Sequence, residues 1–432
     1  MNTSRKYFYI WSILINFLFA CKKQIDTQPP ITNISAPTYN QSFHVGDELI
    51  VQGTVSDESS LKKIAVRLLN MQGQSVHRTL SLDVSSNDQT INNSYLLDNI
   101  HLESGFYQLC IFASDGTNDA NAYVPVYIIG VPRVLEKLII ATVSSASQTT
   151  ISTIDSSGTI FPFTNFSGDH LALSVNNYFQ ELFHCGSATG NFTGIALRDK
   201  QVVVNVPVVP SSTVPYFTGF LEKNNQYYIS FYNEQIKGYD HAGNITYNAT
   251  PLPGYVEKKM CMNDQHLIAE EQHKITKDQK LVCYYPTGVV EQSLIIEQTV
   301  ISFCEKDDAH VMVFGNKAGQ GVIQAYDRIA NNLWNPYPYT LAAEITCVLK
   351  LDMDTYLLAL SNGNLLKYVY SASSATPYLT GYTAIQMVLD EVSNTFYVVE
   401  KNKITRFDLN GTPQKVINST DQILEISLLY NR

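Results

Sequence analysis

The 432-residue chain is poor in charge, in tryptophan and in familiar catalytic signatures. Only 16% of its residues are charged, and 29 basic against 39 acidic residues leave a net charge of −10. That balance excludes a protein whose affinity rests on nucleic-acid phosphates, so no nucleic-acid partner is expected. Two Trp stand against 27 Tyr, and the seven Cys are too few and too irregular for a disulfide-stapled module. There is no His-Glu-x-x-His, no Cys-x-x-Cys and no Gly-x-Ser-x-Gly. Neither a metal nor a cofactor is therefore expected. With 45% apolar residues the chain is not disordered, and its length exceeds the ~250 to 300 residues of a single core, so at least two folding units are required.

What is present begins with an address. Arg5 and Lys6 precede an uncharged run from Tyr7 to Ala20. At 1.5 Å per residue it covers about 21 Å as a helix, short of a ~30 Å hydrocarbon core, and so reads as a leader. The run ends Leu18-Phe19-Ala20-Cys21. This ending resembles a bacterial lipobox, and Cys21-Lys22-Lys23 resembles the start of Bacteroidetes-type surface lipoproteins. The resemblance implies a signal peptide over 1–20, a diacylglyceryl group on the Cys21 sulfur and a lipidated tether over 21–32. It also implies an outer-membrane location, periplasmic or cell-surface facing, with the membrane reached through the lipid. The alternative is an ordinary secretory leader with Cys21 incidental.

From 33 to 131 apolar residues alternate with polar ones, as in Leu49, Val51 and Val55, in Ile64, Val66 and Leu68, and in Tyr107, Leu109, Ile111 and Ala113. Turn clusters such as Asp115-Gly116-Thr117-Asn118 separate the runs, which predicts an antiparallel sandwich. Gly46-Asp47, Val55-Ser56-Asp57 and Ala113-Ser114-Asp115-Gly116 give the stretch a resemblance to immunoglobulin-like or cadherin-like modules, without their paired cysteines or Trp. Asp57, Glu58, Asp115 and Asp119 are either calcium ligands or, as such residues more commonly are, turn formers.

From 133 to 432 a strand ending in an Asp turn recurs: Ile154-Asp155, Leu197-Arg198-Asp199, Tyr239-Asp240, Tyr326-Asp327 and Phe407-Asp408, with weaker copies at Tyr285 and Tyr370. Asp155 to Asp408 spans six intervals of about 42 residues, the period of a four-stranded propeller blade. First strands are expected near Asp169, Ser211, Val256, Thr299, Glu344 and Thr383. The remainder at the front lacks one strand, which 423–429 at the chain's end supplies. The fold class is thus all-β, a sandwich followed by a propeller of seven blades, with six or eight as alternatives. The architecture resembles WD40, YVTN and quinoprotein-like propellers.

Candidate chemistry is sparse. GNKAGQG at 315–321 lies where a hairpin is due, not a phosphate loop. Cys261, Cys304 and Cys347, 43 residues apart, restate the period and read as buried thiols. His266 and His310 hold equivalent positions and His170 opens a first strand, so they read as packing residues. Aromatics recur in the connections between repeats: Phe166, Tyr216, Tyr255, Tyr337, Tyr339 and Tyr382. All lie at one end of a propeller, where they either wedge between blades or grip a ligand. The leading reading is a non-catalytic, lipid-anchored envelope protein that binds a glycan or a protein. The alternative is a propeller enzyme, a polysaccharide hydrolase or lyase or a quinoprotein-like dehydrogenase. The acidic pairs Asp307-Asp308 and Asp352 with Asp354 fall at the opposite end from the aromatics, which counts against a hydrolase.

Overall fold

A computed structural model describes residues 27–58, 60–145, 147–209 and 214–432; the leader and Cys21 lie outside the described residues. The described residues form strands and turns without helix, and the chain divides into two compact units between Pro132 and Arg133.

In the first unit a three-stranded sheet (Ile31–Ala36, Glu48–Ser56, Asp88–Leu96) faces a five-stranded one across a shared core. Glu48–Ser56 buries alternate residues, as period-two patterning requires, and Leu49, Val51 and Val55 meet Ile64, Val66, Leu109 and Ile111 in that core. Two details exceed the sequence reading. Ile31 and Thr32, assigned to the tether, already pair with Ser56 and Val55. The short strand Gln41–His44 runs parallel to Asp119–Ile129, inside an otherwise antiparallel sheet. Asp115 is a turn former: its Oδ1 accepts the Asn118 N–H at 2.7 Å and the Thr117 N–H, and these bonds hold its carboxyl below the ordinary range. Asp57 likewise accepts the Ser60 N–H at 3.0 Å.

The second unit is a succession of four-stranded antiparallel sheets, the repeat of a β-propeller. In chain order these are the closing sheet, then sheets two to seven, spanning 172–206, 217–249, 255–296, 299–334, 345–380 and 386–418. The closing sheet joins both ends of the unit: Gln422–Tyr430 pairs with Leu135–Ser145, which continues into Gln148–Ile154 and Ile160–Ser167. Each sheet shares an apolar core with the next, and the seventh shares one with the closing sheet, where Tyr397 and Val399 meet Leu138, Ile140 and Ile426. With the closing strand in place every sheet of the unit has four strands, and only short edges remain.

The recurring Asp has a local cause. Oδ1 of Asp155, Asp240 and Asp408 accepts the N–H four residues on, at 2.8 to 2.9 Å, across a turn whose glycine sits at positive φ. Asp169 serves differently. It accepts the N–H groups of Ser187, Ala188, Thr189 and Gly190, which hold its carboxyl near 2 despite burial. Because Asp169 anchors that hairpin, the innermost strand of sheet two starts only at Ala172. GNKAGQG is a hairpin, with Lys317 paired to Gln320 and Ala318 and Gly319 both at positive φ. Five innermost strands carry a bulge within their first residues, at Thr218, Lys258, Ile301, Thr346 and Leu424. A bulge re-aims the side chains beside it, and these all lie at the end where one sheet passes into the next.

Candidate functional site

That end, the connecting rim, holds the predicted aromatics, and the structure sorts them. Phe166 is buried and stacks nearly parallel on His184 at 4.7 Å. Tyr216 meets the edges of Phe217 and Phe231, and Tyr382 that of Phe407. Tyr337 packs on Tyr368 within the core shared by sheets five and six. These four rings lie in or against cores between sheets. Tyr255 instead stands edge-on to His273 beneath Lys280 and opens on a cleft of about 520 Å³. Tyr339, 69% exposed, lines with Tyr337 a second groove of about 410 Å³. Both volumes fall within the ~300 to 1,000 Å³ of small-molecule sites. The two clefts share a wall, residues 295–297 at the end of the outermost strand of sheet four, where Ile295 is 73% exposed.

The base of the Tyr339 groove is amide-rich. Gln298, 3% exposed, donates from Nε2 to Gln324 Oε1, and Gln324 Nε2 donates to Asn335 Oδ1 at 2.8 Å. At one end Lys317 is paired with Glu297.

Two buried polar clusters beside this rim were not foreseen from sequence. In sheet four, Glu257 and Glu271 are directly opposed across neighbouring strands and point toward sheet three. The Glu257 carboxyl packs on Gly219 of sheet three, where a Cβ would come within 2.4 Å of Oε2 and displace it. Glu257 is wholly buried, and burial pushes its carboxyl up to about 8, an effect the Ser230 hydroxyl only partly offsets and the neighbouring Glu271 reinforces. Burial lifts Glu270 and Glu271 to about 7. These two have structural donors: Glu270 accepts the Val300 N–H at 3.0 Å, and Glu271 accepts the Leu252 N–H at 3.0 Å and the Tyr284 hydroxyl. The available signal was Glu270-Glu271 inside the apolar strand His266–His273.

The second cluster joins the closing sheet to sheet two. Glu425 accepts the Leu173 N–H at 2.7 Å and faces His170 Nε2 at 3.1 Å. His184, 1% exposed, is kept neutral by burial and by His170, which take its imidazole down to about 3. No local sequence signal links residues 170 and 425.

The remaining candidates have local roles. His266 and His310 face acids of their own sheets, Glu291 at 3.6 Å and Asp307 at 2.7 Å. Asp307 and Asp352 accept N–H groups of the turns they begin. Cys261, Cys304 and Cys347 lie on successive innermost strands as free thiols; burial lifts Cys261 well above its usual value, Cys304 to about 11 and Cys347 to about 12. Among the described residues no group of three His, Cys, Asp or Glu is placed to hold a metal ion, and no helix is long and apolar enough to cross a membrane.

No known family and no curated protein matches this sequence. Solved structures do resemble it. A quinoprotein alcohol dehydrogenase-like protein of Bacteroides thetaiotaomicron aligns over 93% of this chain and 99% of its own, at 12% identity and a TM-score of 0.47. Apo AztD from Citrobacter koseri aligns over 68% of this chain and 98% of its own, at 12% identity and 0.47. The WD40 β-propeller domain of Doa1 aligns over 62% and 90%, at 11% identity and 0.46. At such identities the likeness is one of fold.

Proposed function

We propose that this protein is a lipid-anchored bacterial envelope protein of the Bacteroidetes type, whose second unit binds a glycan or a protein without chemical turnover. In this reading the first unit is an immunoglobulin-like module, and the seven four-stranded sheets are the blades of a propeller closed by Gln422–Tyr430. Lipid on Cys21 holds the molecule at the outer membrane; two or three acyl chains at ~0.8 kcal/mol per buried CH₂ give a lasting anchor.

The observation that carries the binding role is the pair of clefts on the connecting rim, with Tyr255 on one, Tyr339 on the other and the wall at 295–297 between them. A polar-tipped ring gives contact area at low entropic cost. The enzyme alternative meets a physical obstacle. Glu257 and Glu271 are elevated as a general acid would be, but both side chains are sealed from solvent and beyond a polymer's reach.

The test is a pull-down with residues 24–432 against an envelope extract and a polysaccharide panel. Retention without turnover is expected; released oligosaccharide would favour the enzyme. For the anchor, wild-type protein is expected in the detergent phase and the Cys21→Ala variant in the aqueous phase. Full detergent partition of the variant would refute lipidation.

A further inference from the structure

The chemistry of the Tyr339 groove narrows the partner, on the footing that the connecting rim binds one. We infer that this groove and the Tyr255 cleft together form an extended site for an uncharged glycan.

Charge argues first. The charged residues along both clefts are of both signs, Lys317 with Glu297 at the shared wall, and Lys277 and Lys280 with Asp278 beside Tyr255. Such a surface neutralises itself. It offers no one-signed field to an acidic polysaccharide or a charged peptide.

Hydrogen-bond chemistry argues next. Sugar hydroxyls donate and accept at once, and the matching protein groups are amides, which also do both. Gln298, Gln324 and Asn335 form a one-way relay along the groove, each of the first two donating to the next and the last ending on the exposed Asn335 amide, whose amino group is not used by the relay. Gln298 is buried and its orientation is set by Gln324, so the relay is assembled before any ligand arrives. Tyr339 supplies the exposed ring for the apolar face of a pyranose, and Tyr337, edge-on at 5.5 Å and packed on Tyr368, fixes its position. Tyr255 lies beyond the exposed Ile295 ridge, so the site suits a chain of sugars crossing that ridge.

Affinity electrophoresis of residues 24–432 through gels containing laminarin, yeast mannan, xylan or polygalacturonate tests this. At least one of the three neutral polymers is expected to retard the protein, and polygalacturonate is not. Tyr339→Ala should weaken retardation about tenfold with a melting temperature within about 2 °C of wild type, and Gln324→Ala should weaken it about as much with a lower melting temperature, since it also leaves the buried Gln298 amide without its acceptor. Tyr339→Phe, which keeps the ring, should restore most of it. Retardation by polygalacturonate alone, by none of the four, or equally for wild type and Tyr339→Ala overturns the inference. The two readings fail separately. Capture of an envelope protein that is lost in Tyr255→Ala and Tyr339→Ala, with no glycan retained, refutes the glycan site and upholds the rim. Retention of any partner that ignores both substitutions refutes the rim itself.

Discussion

Glu425 and Glu257 both sit beside a bulge in an innermost strand, one in the closing sheet and one in sheet four. Glu425 is met by donors from the next sheet, the Leu173 N–H and the His170 ring, and Gln386 binds the adjacent Ile426 from the other side through its N–H at 2.8 Å. Glu257 makes no well-formed hydrogen bond, the nearby Ser230 hydroxyl of sheet three offsets burial only in part, and burial leaves it holding its proton. The same strand layout thus handles a carboxylate in two ways, half-buried in the closing sheet and wholly buried in sheet four. At the seam where the chain's ends meet, the carboxylate becomes a tie between sheets. In sheet four it becomes a group whose ionisation opposes the fold.

The comparison breaks most severely if the closing strand is removed. Ending the chain at Asp421 deletes Ile423, Ile426, Leu428 and Tyr430 from the core, each contributing about 1.5 to 3 kcal/mol by burial. Their sum is comparable to the ~5 to 15 kcal/mol stability of a whole domain. Calorimetry should show the second unit without a cooperative transition; an unchanged melt would mean that the seam does not hold the ring.

A second difference appears with pH. Glu257 is raised above its unfolded value, so its contribution is fully present below about pH 4.5 and is lost as pH rises toward and through 8. Glu270 and Glu271, raised to about 7, act in the same direction. Urea unfolding should therefore show stability falling between pH 5 and 9, with Glu257 alone contributing on the order of 4 kcal/mol. Glu257→Gln should flatten that slope. A slope unchanged by Glu257→Gln would show that the carboxyl has donors after all.

The smallest effect belongs to the tie. Glu425→Ala leaves the Leu173 N–H without its acceptor and should cost about 2 kcal/mol, read as a lower urea midpoint. A loss under about 0.5 kcal/mol would place Glu425 among ordinary surface residues.

Much of this architecture was legible residue by residue. The first strands expected near Val256, Thr299 and Glu344 begin at Tyr255, Thr299 and Ile345. The first strand expected near Ser211, which lies outside the described residues, starts at Phe217, and in two further cases a long-range partner intervened. Sheet two starts at Ala172 because Asp169 is committed to residues 187–190, and sheet seven at Gln386 because the Thr383 N–H is held by Glu400. Among the aromatics of the connections, sequence could not separate Tyr216, edge-on to Phe231, from Tyr339, open on its groove.

The sequence by itself determined the strands, their period and the Asp turns that space them. Alternation and a carboxylate reaching four residues along the chain are local interactions, complete within a short segment. Only the tertiary structure decided which rings face solvent, that Glu257 and Glu271 share a dry interface, that Gln298, Gln324 and Asn335 form one relay, and that residue 425 anchors residue 173. Each depends on residues distant in sequence meeting in the folded unit, and side-chain solvation there is set by neighbours as much as 255 residues away.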